Sequence, residues 1–219
     1  MVNCKTHETV MTVIPTSRYS PSHDHDLIHV DSTFTTDVPI PDAENIFFVP
    51  GTQPIPPDIL KMIKNGGFSF EPIPKSEVIR QVTDYAQEIS QNQPVAAISD
   101  AVMGIATQEY MQQVSMKADP VGSTFYHLSY DFILLPENDG TFELKTTLPY
   151  KGFQMPPGGQ VRLIVVLPVG ATCDTNATKG TLLNGQQIQE GTPANVANGV
   201  QVVSFFYQND PDFLVKYKY

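Results

Sequence analysis

The residues best suited to chemistry are three histidines in the run Ser22-His23-Asp24-His25-Asp26-Leu27-Ile28-His29. In an extended chain His23, His25 and His29 project to one side together with Asp31, because side chains alternate between faces. Neighbours two apart lie about 6.6–7 Å from each other along a strand, close enough for two imidazoles to share a metal ion. His25 and His29 would be about 13 Å apart, so His29 joins them only if the chain bends near Leu27. A first-row metal would take His23 and His25 and draw a third ligand from afar, with His127 or Asp131 as candidates. The run lacks the Asp-His pair that completes a metallo-hydrolase site, and the glutamate and glycine frame of a cupin is absent. The competing reading is a polar surface turn leading into a strand, its histidines solvated or hydrogen-bonded. That reading is the stronger, and no cofactor is expected.

Other reactive patterns are weaker still. There is no Gly-x-Ser-x-Gly elbow, and neither Cys4 nor Cys173 has a histidine beside it in sequence. The two thiols lack metal-type spacing and are expected to be reduced. Gly66-Gly67 and Pro156-Pro157-Gly158-Gly159 lack the terminal lysine of a phosphate loop and read as turns. Carboxylate pairs are too common in this acidic chain to mark glycoside hydrolysis. Asn176-Ala177-Thr178 fits a glycosylation acceptor by chance. Tyr207, Tyr217 and Tyr219 offer rings that stack on sugars or on a partner, although edge and core positions use tyrosine in the same way.

Composition narrows the classes. Thirteen basic against 23 acidic residues give a net charge of −10, and no cluster of lysine or arginine stands ready to displace counterions from phosphate. Nucleic acid and anionic membranes are therefore not expected partners. No apolar run approaches the roughly 20 residues of a spanning helix. The opening residues carry no basic segment followed by an apolar one, so synthesis in the cytoplasm without a secretion signal is expected. Charged residues make up 16%, well below the usual quarter, and neutral Gln, Asn, Ser and Thr carry the polarity instead. Such a surface suits packing against neighbours, where each buried charge needs a partner.

The elements that must position these residues follow from periodicity. Residues 1–27 show only a brief alternation at Val10–Ile14 and read as an N-terminal arm. A strand from Ile28 to Ile40 puts Ile28, Val30, Phe34, Val38 and Ile40 on one face and His29, Asp31, Thr33, Thr35 and Asp37 on the other. Eight prolines between Pro39 and Pro74 make residues 28–75 this strand plus a rigid wrapping segment. An extended piece at Asn45–Val49 and a short helix over Pro57–Gly66 are expected within it. Residues 76–118 read as a helix pair. The first is capped by Ser76 with the stripe Val78, Val82, Tyr85 and Ile89, and the second runs from Val95 to Met116.

Residues 119–219 are dense in strands. Tyr126 to Leu134 alternate, and Pro136-Glu137-Asn138-Asp139-Gly140 reads as a hairpin loop into a partner strand with Phe142, Leu144 and Leu148 inward. Val161–Leu167 is nearly all apolar, as in a strand covered on both faces. A tight turn at Asn184-Gly185 and two closing strands, Val200–Tyr207 and Phe213–Tyr219, complete a mainly β chain with a helical segment (α+β). The architecture predicted is a β-sandwich, jelly-roll or immunoglobulin-like, with an inserted helix pair and the Pro-rich wrap.

The function expected is that of a non-enzymatic structural subunit of a large assembly, contacting copies of itself and other subunits. A virion protein of a bacteriophage (capsid, capsid decoration or tail) is the leading kind. The alternatives are a carbohydrate- or ligand-binding β-sandwich module of a fibre or surface protein, and a metal-dependent enzyme using His23, His25 and His29.

Overall fold

A computed structural model describes the chain apart from residues 1, 21, 57, 61–70, 91–106, 121, 122, 183, 189, 190, 192 and 209. It is mainly β, with several sheets. The strands in chain order are β1 (Val2–Ile14), β2 (Asp26–Thr36), β3 (Ile46–Pro50), β4 (Ile73–Pro74), β5 (Met111–Ser115) and β6 (Lys117–Ala118). They continue as β7 (Phe125–Leu134), β8 (Phe142–Thr147), β9 (Phe153–Gln154), β10 (Gln160–Leu167) and β11 (Thr172–Cys173). The last five are β12 (Lys179–Leu182), β13 (Gln187–Ile188), β14 (Ala194–Asn195), β15 (Gln201–Tyr207) and β16 (Pro211–Lys218). One turn of helix, Thr16–Tyr19, links β1 to β2, and a longer helix spans Lys75–Ser90. No helix among the described residues is long and apolar enough to cross a membrane.

The largest sheet has the order β14-β15-β10-β1-β2-β7-β6, with β9 also paired to β1. All neighbours in it run antiparallel except β1 with β10 and β1 with β9. In the second sheet β16 is flanked by β8 on one side and by β12 and β11 on the other, and β13 pairs with β12. A small third sheet, β4-β3-β5, carries the helix Lys75–Ser90 against it. The buried faces of all three share one core. Phe205 of β15 meets Phe213 of β16 at a ring separation of 5.0 Å, and Phe47 of β3 stacks on Phe153 of β9 at 5.9 Å.

β2 stops at Thr36 and does not reach Ile40, and Val38, read as inward, is exposed. As far as Thr36 the alternation read in it is present: Ile28, Val30 and Phe34 are fully buried while His29, Asp31, Thr33 and Thr35 face outward. β7 shows the same order, with Tyr126, Leu128 and Tyr130 inward. The extended piece at Asn45–Val49 is found as β3, and Asn184-Gly185 does turn β12 into β13, Gly185 taking φ +80°.

Four further expectations are corrected. Residues 2–14 are no arm: they form β1, held between β2 and β10 in the middle of the large sheet. Its inward set is partly polar (His7, Thr9) and its outward set partly apolar (Val10, Ile14), which hid the period. A bulge between Cys4 and Thr6 breaks the alternation again, so that Cys4 and His7 both face inward. The second helix does not extend over 111–116, because Met111–Ser115 pairs with β3 as a strand. Its earlier part, like most of the short helix over 57–66, lies outside the described residues.

The Asp139-Gly140 loop makes its tight turn, Gly140 at φ +76° with its N–H on the Glu137 carbonyl oxygen at 2.9 Å. It does not form a hairpin. β7 stays paired with β2 while β8 crosses to β16, because turn chemistry fixes local geometry and not the partner. Finally, β10 is covered fully on one face only. Arg162 is exposed, and Ile164 and Val166 are half-buried on the outer side.

Candidate functional site

The register of the five central strands maps the outer face of the large sheet row by row. One row reads Val202, Val166, Thr12, His29, Asp131 across β15, β10, β1, β2 and β7. The next reads Ser204, Ile164, Val10, Asp31, Ser129, and the third Phe206, Arg162, Glu8, Thr33, His127. Ile14, Leu27 and Ile133 begin a further row beside the first. The face is thus divided into an aliphatic patch over β15, β10 and β1 and a histidine–aspartate patch over β2 and β7.

The aliphatic patch is open: Val10 is 37% and Ile14 40% accessible, and Phe206 is 43%. Its border is polar. Arg162 reaches Glu8 at 3.6 Å and lies over the Phe206 ring at 5.5 Å.

In the other patch His29 is held between two carboxylates. Its Nδ1 is 2.7 Å from Asp131 Oδ1 and its Nε2 3.0 Å from Asp31 Oδ2. His127 Nε2 lies 3.2 Å from the other oxygen of Asp31. The hydrogen bond to Asp131 is the main cause that raises the His29 pKa above 6.5, and the Asp31 charge adds to it against a small loss of hydration. For Asp31 burial pushes upward, but hydrogen bonds from Ser129 and His127 and the His29 charge outweigh it and hold the carboxyl below its usual range. The raised His29 contributes stability that is complete below its unfolded pKa of about 6.5 and is lost as pH rises through the folded value. The depressed Asp31 contributes above about 3.9 and loses it as pH falls through its own folded value. Proton NMR titration is expected to place His29 above 6.5, and Asp131→Asn should lower it. An unmoved His29 in that variant would mean the 2.7 Å contact is not made in solution.

These contacts redirect the three histidines read from sequence. His23 and His25 sit in the turn before β2 with ring centroids 5.0 Å apart, and His25 bonds to Asp24 at 3.2 Å. His29 has both ring nitrogens on carboxylates, so both act as N–H donors and neither is left to ligate an ion. Among the described residues no group of three or more His, Cys, Asp or Glu is arranged to hold a metal. Strand register, not sequence spacing, brings His127 and Asp131 to His29 and Asp31, as a hydrogen-bonded cluster away from His23 and His25.

The tyrosines are placed differently from what sugar stacking needs. Tyr207 and Tyr217 are buried, and the hydroxyls of Tyr217 and Tyr219 both donate to Asp26 Oδ2 at 2.8 Å. Only Tyr219 keeps a part-exposed ring. Both cysteines are buried and unpaired. Burial pushes the Cys4 thiol up to about 12, far from thiolate reactivity.

Sequence reasoning missed an interior polar chain. His7 Nε2 is 3.0 Å from Thr9 Oγ1, Thr9 meets Ser32 Oγ at 2.9 Å, and Ser32 meets the Tyr150 hydroxyl at 2.8 Å. The chain ends at the Tyr150 hydroxyl, and Tyr130 is buried in the same core. His7, Thr9 and Ser32 have no exposed surface, so no substrate reaches this serine–histidine grouping. Its signal was two inward polar residues, His7 and Thr9, in a strand that alternation did not reveal.

No protein-family model matches this chain, and no curated protein matches it.

Proposed function

We propose that the chain is a non-enzymatic structural subunit of a large protein assembly, with the outer face of the large sheet as its contact surface. The observation that carries this is the open aliphatic patch of Val10, Ile14, Ile164, Val166 and Val202 with its polar border. Contiguous apolar patches rimmed by polar residues are often interaction sites. Strands about 4.8 Å apart and rows about 6.8 Å apart make the three-strand aliphatic patch roughly 390 Å², and only with the histidine–aspartate patch as its polar part does the face reach roughly 650 Å², near the roughly 800 Å² per partner of a standard interface. An apolar centre with a charged and hydroxyl-bearing rim is also the usual anatomy of such interfaces.

In this reading the two larger sheets form a β-sandwich of jelly-roll or immunoglobulin-like type and supply a stiff body. A bacteriophage virion component is the kind of assembly that fits such a weakly charged, β-rich body. Sedimentation across a concentration series tests it. The natural chain is expected to associate, and Val10→Lys to shift it towards monomer at a stability cost within about 1 kcal/mol, since the site is exposed. A chain that stays monomeric at every concentration and binds no partner would count against the proposal. So would an oligomer that Val10→Lys and Ile164→Lys leave intact.

A further inference from the structure

A second surface, separate from that outer face, points to a different partner. We propose that the edge of β8 and the cleft beside it receive an extended peptide strand from another polypeptide. The cleft has a volume of about 520 Å³ and opens between the C-terminal half of β7 and β8. Met11, Pro72, Phe132, Leu134 and Leu144 make its walls apolar.

The two strands present their edges to this cleft differently. On β7 the outward backbone groups are capped: the Ile133 N–H donates to the Gly51 carbonyl oxygen at 3.3 Å, and Gln112 Nε2 donates to the Asp131 carbonyl oxygen at 2.7 Å. Covering an edge in this way prevents unwanted pairing. β8 pairs with β16 along one side, and among the described residues no strand pairs with its other side. Backbone N–H and C=O groups are obligatory hydrogen-bonding groups, so this edge is a template for a further strand.

A second observation lies in the same place. Thr146 lines the cleft, and its hydroxyl is buried with no hydrogen-bond partner among the described residues. Such an atom costs about 1–3 kcal/mol where it stands. A polar group of an inserted peptide would relieve it.

The chemistry of the occupant follows from the site. Side chains of a bound strand alternate between cleft and solvent, so every second position is apolar. The lining holds Glu71, Glu137 and Glu143, of which Glu143 is shared by Lys145 at 2.8 Å and Lys216 at 3.3 Å and Glu71 lies 3.8 Å from Lys151, so the acidic bias comes from the chain's net −10. The solvent-facing positions are therefore basic, and an acidic strand is disfavoured.

The test uses the whole protein and three synthetic peptides of about ten residues: alternating valine and lysine, the same with a central proline, and alternating valine and glutamate. Calorimetry is expected to show saturable binding of the first, with the other two weaker by about tenfold or more. Hydrogen exchange should show new protection confined to residues 142–147. Leu135→Trp, which fills the cleft from a half-buried position, should weaken binding and leave the unfolding midpoint in place. The peptide comparison on the natural protein stands without that variant.

Equal affinity for the proline peptide would overturn the proposal, as would protection elsewhere. Failure of the valine–lysine peptide to bind at about 1 mM would do the same. Dodecylamine that binds the cleft without protecting 142–147, while the peptide does not bind, would make it a small-molecule site instead. None of these outcomes touches the outer face, so the two proposals fail separately.

Discussion

Taking the protein from pH 6 to pH 4.5 is expected to lower its unfolding free energy by about 1.4 kcal/mol per pH unit, and removing the His7 imidazole should abolish that slope. His7 is wholly buried, its ring 4.1 Å from Phe34 and 4.5 Å from Tyr150 between centroids. Burial lowers its pKa from 6.5 to about 3. A protonated ring would need an acceptor at Nδ1, which has no partner among the described residues. In the unfolded chain His7 takes up a proton below about 6.5, whereas the folded protein refuses it until about 3. The unfolded state therefore binds more protons across that range, and stability falls as pH falls. Extended to pH 3, the loss is on the order of 5 kcal/mol, comparable with the whole stability of a marginal domain.

His7 dominates the upper part of this window, where the one opposing contribution among the described residues is Asp210, whose carboxyl is raised by burial and so stabilises the fold as pH falls. The stabilisation from His29 is already complete below 6.5, because its pKa is raised. Glu77, Glu143 and Asp31 have depressed pKa values, so their contributions are intact above their unfolded values of about 4.3 and 3.9 and begin to erode only at the acidic end of the window. Urea unfolding at half-unit intervals, on the natural chain and on His7→Phe and His7→Gln, makes the measurement. Phenylalanine keeps an aromatic ring against Phe34 and Tyr150, and glutamine keeps a donor for Thr9. If both variants retain the slope, another group governs acid sensitivity.

How much of this was legible in the sequence depends on whether a strand's two faces differ in polarity. β2 and β7 were readable because Ile28, Val30, Phe34, Leu128 and Tyr130 alternate with His29, Asp31, His127 and Ser129. β1 was not, since His7 and Thr9 are buried while Val10 and Ile14 look out. The polarity that hides β1 is itself informative. Inward hydroxyls and imidazole belong to the interior chain that ends at Tyr150, and outward aliphatics belong to the proposed contact face.

Strand partners were invisible for another reason. Pro136–Gly140 and Asn184-Gly185 look alike as turns, yet only the second joins strands that pair. Pairing is decided by the faces that bury together, not by the loop. The His–Asp cluster was half visible, because spacing within β2 gives His29 and Asp31 but only register supplies Asp131 and His127.

Asp26→Ala is expected to cost about 3–5 kcal/mol, among the largest effects of any single change here. Its side chain has no exposed surface, yet it is a carboxylate that gathers groups from distant parts of the chain. Oδ1 accepts from the Ser17 hydroxyl at 2.6 Å and the Ser17 N–H at 3.3 Å, which fixes the helical turn between β1 and β2. Oδ2 accepts from Tyr217 and Tyr219, which fastens the end of β16 to the first residue of β2. Truncation leaves the buried Tyr217 hydroxyl, at a cost of about 1–3 kcal/mol, and the part-buried donors of Ser17 and Tyr219 facing no acceptor.

Asp26→Asn keeps the shape but turns one acceptor into a donor, so it should cost less than alanine and still more than about 1 kcal/mol. The sharper measurement is a double-mutant cycle with Tyr217→Phe. Tyrosine 217 lies stacked on Phe142 at 5.0 Å, so phenylalanine preserves the packing and removes only the hydroxyl. If the Asp26–Tyr217 bond couples the sheets, the two losses fall short of additivity by about 1–3 kcal/mol in equilibrium unfolding. Strict additivity, or an Asp26→Ala variant within about 0.5 kcal/mol of the natural protein, would mean that hydrophobic contact alone, such as Phe205 on Phe213, holds the two sheets in register.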